Sequence, residues 1–178
     1  MSASLAILDA EQARNALALI AEREIGVREK GGNNRGADIV RYQTATWLAP
    51  GPWPWCAAFI CWCICEWLKA PSVRETLHMT EAAAQKWRPK TAGAWDFVNW
   101  AKGAGLKVLG ENEPVRRGDL VVYDFSHIGI VLKDSERGEI ETAEGNTNGK
   151  GERDSESGDG VWRKFRERSL AKAFIRLI

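Results

Sequence analysis

The sequence predicts an α+β fold, in which N-terminal helices pack on one side of a mainly antiparallel sheet of about five or six strands. Two observations lead to this prediction. Apolar residues recur at helical spacing in the first half of the chain, whereas the second half consists of short β-type runs separated by turn residues. No repeat or long linker divides the 178 residues, so we expect a single domain, 1–178, around one core.

Four helices are predicted in the first half of the chain. The first begins at a capping box formed by Asp9 and Gln12 and ends before Gly26. The other three are expected to cover about residues 39–47, 56–68 and 92–101. The third follows the segment GPWPW, whose prolines restrict the backbone just before the helix. Four tryptophans of the last two helices are expected to pack in the core: Trp62, Trp67, Trp95 and Trp100.

Five strands are predicted in the second half. They correspond to the segments RRGDLVVYDF, HIGIVLKD, EIETAEGN, GVWRKFRER and AKAFIRLI. The segment SERG, residues 135–138, is predicted to form a hairpin turn between the second and third of these strands. A polar loop of Gly, Ser, Asn and Asp, residues 145–160, precedes the last two strands.

The composition is that of an ordinary soluble globular protein, with 44% hydrophobic and 28% charged residues. The formal net charge of +1 gives no reason to expect nucleic acid or an anionic membrane as a partner. The first twenty residues have no basic segment followed by an apolar run, and the apolar run 55–68 is too short to span a membrane. We therefore expect synthesis in the cytoplasm without a signal peptide, and no stable membrane insertion.

All four cysteines lie between residues 56 and 65, and a cytosolic chain keeps them reduced. A structural zinc site needs four ligands, usually in spaced pairs, and this sequence does not offer them. Cys61, Cys63 and Cys65 lie inside the predicted helix, where buried apolar packing is the expected role. Cys56 differs because it begins the helix, where the dipole and free amides favour a thiolate. By position alone, Cys56 can be either a buried residue or a nucleophile.

The chain has two histidines, and His127 is the candidate for chemistry. In a strand, the period of two places His127, Gly129 and Val131 on the face opposite Ile128. Gly129 leaves space beside the imidazole, as a site that needs close approach would require. His78 lies in a polar segment that we expect to be exposed.

Glu144 and Asn146 provide candidates for a third catalytic group. Two residues apart on a strand, their side chains are expected to share a face. If this strand pairs with that of His127, either side chain can accept the imidazole N–H and fix its tautomer. Without this pairing, the two residues are simply the polar end of a strand.

The motifs around these residues resemble those of the CHAP family of cysteine, histidine-dependent amidohydrolases and peptidases. They are PWCAAFICW, PVRRGDLVVY, SHIGIV, EGN and the closing AFIRLI, in this order, and the likeness spans about residues 15–178. The family belongs with the NlpC-type hydrolases of the papain-like superfamily. The upstream segment EIGVREKGGNNRGADIVRY resembles the corresponding part of phage and prophage members.

The resemblance implies a papain-like fold with Cys56 as nucleophile, His127 as base and Glu144 as the acid that orients His127. Asn146 is then an added polar member, and bacterial peptidoglycan is the substrate. The backbone N–H of Cys56 is expected to contribute to the oxyanion hole. Some members carry an Asp-rich calcium loop before the cysteine, where this chain has TWLAPGPWPW. We therefore expect no metal and no organic cofactor, and ERDSESGDG is expected to be a solvated loop.

Trp53 and Trp55, beside Cys56, are candidates for a groove that binds sugar or stem peptide, because aromatic faces suit such ligands. Plain packing is the alternative for both rings.

These features predict a monomeric, single-domain peptidoglycan hydrolase without a separate wall-binding domain, which acts on the cell wall after release. The resemblance favours a phage or prophage endolysin that depends on a holin, and an antibacterial effector delivered by a secretion system is the first alternative. A transacylase or deamidase acting on a protein keeps the same catalytic residues but changes the chemistry. In a non-enzymatic wall-binding or phage structural module, Cys56 would merely be buried.

Overall fold

The computed structural model describes residues 9–134, 138–150 and 157–178. Its described residues form six α-helices and one six-stranded antiparallel sheet, which confirms the α+β prediction. The helices are α1 (Ala10–Arg23), α2 (Ala37–Gln43), α3 (Cys56–Trp67), α4 (Pro71–Thr76), α5 (Glu81–Trp87) and α6 (Asp96–Gly103). The strands are β1 (Lys107–Leu109), β2 (Leu120–Tyr123), β3 (Ile128–Asp134), β4 (Glu139–Thr147), β5 (Gly160–Glu167) and β6 (Ala171–Arg176).

Local sequence signals set the helix boundaries. The capping box of α1 is confirmed, since the backbone N–H of Gln12 donates to the Asp9 carboxylate at 2.7 Å and Gln12 bonds back to the Asp9 N–H at 3.1 Å. Helix α3 begins at Cys56 as predicted. Helix α6 begins at Asp96, later than predicted, and α4 and α5 were not predicted. These two helices have six and seven residues, too few to display a helical period.

The strand order of the sheet is β1-β6-β2-β3-β4-β5. The last strand of the chain, β6, therefore lies inside the sheet and pairs with both β1 and β2. Strands β2 to β5 follow one another as antiparallel neighbours. The five predicted strands are confirmed, and the three-residue β1 was missed because it is too short to show alternation.

Apolar side chains pack on both faces of the sheet. Ile128 and Ile130 of β3 join the larger core cluster, which includes α1 and α3. Val131 joins a second cluster on the opposite face, with Tyr123 and Phe174. The predicted division of β3 into two faces is thus confirmed. Helices α1 and α3 pack on the face that carries Ile128 and Ile130.

The tryptophans differ in their surroundings. Trp62 and Trp67 are buried and Trp100 packs against the core, as predicted. The prediction for Trp95 is wrong, because this side chain is 47% exposed. Its indole N–H donates to the carbonyl oxygen of Tyr123 at 3.0 Å, which holds the ring against the end of β2 at the surface.

Some sequence predictions fall on residues outside the described ranges. They concern the first eight residues, most of the SERG turn (135–137), and residues 152–156 of the acidic segment. None of the helices in the described residues combines the length and the hydropathy of a membrane span.

Candidate active site

Cys56 is the first residue of α3, and a fixed loop leads to it. The side chain of Gln43 is fully buried and forms hydrogen bonds with backbone atoms of this loop. Its amide nitrogen donates to the carbonyl oxygens of Gly51 (2.8 Å) and Trp53 (3.2 Å), and its amide oxygen accepts the N–H of Gly51 at 3.1 Å. Cys56 itself is 7% exposed, so its sulfur lies at the boundary between the core and the surface.

Trp55 is fully buried, which corrects the prediction that it lines a substrate groove. Its ring stacks on Tyr42 with centroids 5.5 Å apart, and its indole N–H donates to the carboxylate of Glu29 at 2.8 Å. Trp55 therefore anchors the residue before the nucleophile in the core. Trp53 is half-buried, with its indole N–H donating to the carbonyl of Ala49 at 2.9 Å, and its role towards substrate stays a prediction.

His127 lies at the end of the tight turn between β2 and β3. The N–H of Tyr123 donates to the carbonyl oxygen of His127 at 3.0 Å and closes this turn. The rings of Tyr123 and Phe125 each lie 5.8 Å from the imidazole, with their planes inclined to it by 19° and 9°. Two aromatic rings thus restrict the orientation of the imidazole.

The structure brings His127 together with Cys56 and Glu144. Nε2 of His127 lies 2.9 Å from Oε2 of Glu144, and the imidazole is also close enough to the Cys56 thiol to interact with it. Because Nε2 faces the carboxylate, Nδ1 is the ring nitrogen left for the sulfur. Burial lowers the pKa of His127, but the hydrogen bonds with Cys56 and Glu144 outweigh it and raise the pKa to about 9.

Glu144 is fully buried and accepts hydrogen bonds from three further side chains. The hydroxyls of Tyr123 and Thr142 each lie 2.7 Å from Oε1. Arg166 contacts both oxygens, with Nε 3.2 Å from Oε1 and Nη2 2.7 Å from Oε2. Burial alone would raise the pKa of Glu144, but the contacts with His127 and Arg166 hold it far below its usual range.

The sequence analysis missed Tyr123, Thr142 and Arg166 as parts of this site. Thr142 had a usable signal, because it precedes Glu144 by two residues on one strand and so shares its face. Tyr123 and Arg166 had no such signal, because they reach Glu144 from other strands, β2 and β5. The local sequence does not show which strands pair.

Gly129 makes room for Glu144 rather than for the imidazole. A Cβ at Gly129 would lie 2.8 Å from Cγ of Glu144 and 3.2 Å from the carbonyl oxygen of Ala143. The prediction that this glycine permits a close approach is right, but the group that approaches is the carboxylate side chain.

Asn146 lies in an irregular part of β4. The register of β4 and β5 shifts between Glu144 and Thr147, and Asn146 has a φ of 56°. This bulge interrupts the two-residue alternation from which we expected Asn146 and Glu144 to share a face. Glu144 is the residue that accepts the hydrogen bond of the imidazole, so the geometry favours Glu144 as the third group.

The remaining cysteines and the second histidine lie apart from this arrangement. Cys61 and Cys63 are fully buried, and burial raises the pKa of Cys61 to about 12. Cys65 is half-buried and His78 is exposed in a turn, as expected for residues without a catalytic role. Among the described residues, no cluster of three His, Cys, Asp or Glu side chains could hold a metal ion.

Comparison with known protein families agrees with this geometry. The CHAP domain matches residues 48–146, which is more than half of the chain and includes Cys56, His127 and Glu144. None of the curated proteins compared with the sequence matches it significantly. The chain therefore belongs to the CHAP domain family, that is, to the cysteine- and histidine-dependent amidohydrolases and peptidases.

Proposed function

We propose that this protein hydrolyses an amide bond of bacterial peptidoglycan, with Cys56 as the nucleophile. The observation that carries the proposal is the position of the His127 imidazole, which is hydrogen-bonded to Glu144 and interacts with Cys56. A nucleophile, a base and a group that orients the base are the parts that covalent acyl transfer needs.

In the first step, the Cys56 thiolate attacks the carbonyl carbon of the amide, and the carbonyl oxygen becomes an oxyanion. The first amides of a helix have no intrahelical acceptor, so the N–H of Cys56 is available to this oxyanion. Protonated His127 then gives its proton to the nitrogen of the leaving amine as the C–N bond breaks. The acyl group remains on Cys56 as a thioester.

In the second step, water replaces the acyl group. Neutral His127 takes a proton from the water as its oxygen attacks the thioester. The C–S bond then breaks, which releases a carboxylic acid and restores the thiolate and the protonated imidazole. Glu144 stabilises the imidazolium that exists before and after each turnover, because its own charge is retained throughout.

Membership of the CHAP family and the segment 24–42, which resembles phage and prophage members, support peptidoglycan as the substrate. The same segment favours an endolysin that reaches the wall after release through a holin. Delivery by a secretion system would use the same active site on the same substrate. We propose that the enzyme acts as a monomer on the wall itself.

Digestion of purified sacculi in ¹⁸O-labelled water tests this function, with Cys56→Ala as the matched control. Mass spectrometry of the fragments should show a new amine and a carboxyl group carrying one ¹⁸O atom, and it identifies whether a sugar–peptide or peptide–peptide bond was cut. The control should release no fragments. Intact sacculi, together with acyl transfer or deamidation on a protein substrate, would overturn the proposal in favour of a transacylase or deamidase.

A further inference from the structure

Arg166 contacts the carboxylate of Glu144 from the edge strand β5. The guanidinium uses two nitrogens, one on each carboxylate oxygen, and the side chain is only 5% exposed. Two parallel hydrogen bonds from a planar guanidinium fix the position and the rotation of a carboxylate. Arg166 lies twenty residues beyond the segment that matches the family, in a strand that follows a polar loop.

Arg166 and His127 share one atom of Glu144. Nη2 of Arg166 lies 2.7 Å and Nε2 of His127 lies 2.9 Å from Oε2, so two cationic groups divide one carboxylate oxygen. Among the described residues, Cys56 of α3 and Tyr123 of β2 are further titratable groups that face the imidazole, and the ring of Phe125, which carries no charge, stacks on it. Asp124, in the same turn as His127, is exposed, where water screens its charge.

This arrangement has two physical consequences. The fork of Arg166 holds Glu144 in the rotamer that meets Nε2, which the hydroxyls of Tyr123 and Thr142 alone would hold less strictly. The positive charge of Arg166 also opposes a second positive charge on His127, because both lie within hydrogen-bond distance of the same oxygen.

We propose that Arg166 is a positioning residue of the active site, which aligns Glu144 with His127 and limits how strongly the carboxylate stabilises the protonated imidazole. An imidazolium that is stabilised too strongly is a poor acid and does not deliver its Nδ1 proton to the leaving amine, so this limit favours turnover. The proposal rests on the roles proposed for Cys56, His127 and Glu144, but it does not depend on the identity of the substrate.

The test uses Arg166→Met and Arg166→Lys, with Arg163→Met as the matched control on the same strand. Arg163 is half-exposed and pairs with Glu22 and Glu141, away from Glu144. The first readout is the NMR titration of the imidazoles. The chain has two histidines, and exposed His78 serves as an internal reference in every variant.

For Arg166→Met we expect the titration midpoint of His127 to move upwards, because a neighbouring positive charge is lost while Tyr123 and Thr142 still bond to Glu144. Turnover per folded enzyme should fall on the order of 10- to 100-fold, as for other groups that orient a functional histidine. Arg166→Lys should keep the midpoint near that of the wild type but recover turnover only in part, because an ammonium cannot reproduce the fork. Arg163→Met should change neither value.

An unchanged His127 midpoint in folded Arg166→Met, with turnover equal to that of Arg163→Met, would overturn the proposal. If Arg166→Met does not fold, Arg166→Lys decides the matter: full wild-type turnover in this variant excludes a role for the fork. The NMR titration needs no substrate. If the wild-type enzyme does not digest sacculi, the result would count against peptidoglycan as the substrate. If the titration midpoint of His127 is the same in Arg166→Met and the wild type, the result would count against the role proposed for Arg166.

Discussion

Nε2 of His127 lies 2.9 Å from Oε2 of Glu144, and both side chains are almost completely buried. This single contact decides which ring nitrogen faces Cys56, because the imidazole has only two. It also places the negative charge of the carboxylate beside the group that must carry a positive charge during the reaction.

Replacing Glu144 by Gln is expected to lower the rate of hydrolysis by about a hundredfold or more. An amide can orient the imidazole, but it cannot stabilise the imidazolium with a charge. The structure adds a second effect, since the substitution removes the carboxylate that pairs with the buried guanidinium of Arg166. Losing one member of a buried ion pair costs roughly 3–5 kcal/mol, so thermal melts must accompany initial rates on sacculi, expressed per folded enzyme.

Asn146→Ala is the matched control for this experiment, because Asn146 lies two residues away on the same strand. We expect a smaller effect, since the change removes a polar group and no charge. If Asn146→Ala proves more damaging than Glu144→Gln among folded enzymes, then Asn146 is the third catalytic member and Glu144 is not.

Cys56→Ala is expected to retain the fold and lose hydrolysis, whereas Cys61→Ala is expected to lose stability and retain hydrolysis. Cys61 is fully buried and its sulfur lies 3.4 Å from the carbonyl oxygen of Thr91. Truncation there should lower the free energy of unfolding by about 1 kcal/mol. Denaturant unfolding and sacculus lysis measure the two effects. Lysis of sacculi by purified Cys56→Ala protein would show that Cys56 is not the nucleophile.

Gly129→Ala is expected to reduce activity on the order of 10- to 100-fold, because the new methyl group would displace Glu144 from the imidazole. Gly103→Ala is the matched control, since a Cβ there meets no atom of the described residues within 4 Å. Initial rates and melting temperatures of both variants provide the comparison. Equal activity in the two would show that Glu144 does not need its present position.

Raising the pH is expected to destabilise the fold through His127. Its pKa in the folded protein is about 9, above the ordinary value of 6.5. The protonated form therefore stabilises the fold in full below about pH 6.5, and this contribution is lost as the pH rises through about 9. Melting temperatures across this range should fall more steeply for the wild type than for His127→Gln. If the melting temperatures of the two proteins fall in parallel, His127 does not lose a stabilising proton in this pH range.

Hydrolysis should resist EDTA and be abolished by iodoacetamide, because the proposed nucleophile is a thiolate rather than a metal-bound water. Peptide mapping should find the label first on Cys56, since burial raises the pKa of the thiols of Cys61 and Cys63 and slows their reaction. Inhibition by EDTA that calcium or zinc reverses would show that the enzyme needs a metal.

Patterns within one element were predictable from the sequence. The capping box of α1, the start of α3 at Cys56 and the two faces of β3 each depend on neighbours a few residues away. The meeting of His127 with Glu144 was predictable as well, once adjacent strands were assumed to pair. These features need only the periods of helix and strand.

Features that depend on distant parts of the chain were not predictable. The burial of Trp55 depends on Tyr42 and Glu29, and the fork on Glu144 comes from Arg166 on another strand. The bulge before Thr147 depends on how β4 meets β5, so the alternation on which the expectation for Asn146 rested is interrupted there. In each case the deciding interaction is tertiary.

The internal position of β6 has a consequence for biosynthesis. The ribosome makes β6 after all other described strands, yet β6 separates β1 from β2 in the sheet. Until β6 has emerged, β2 can pair only with β3. The strand that leads into the turn of His127 therefore lacks one of its two neighbouring strands. A nascent chain thus contains Cys56, His127 and Glu144 well before the sheet that aligns them is complete. We expect catalytic competence to arise only after β6 has emerged from the ribosome.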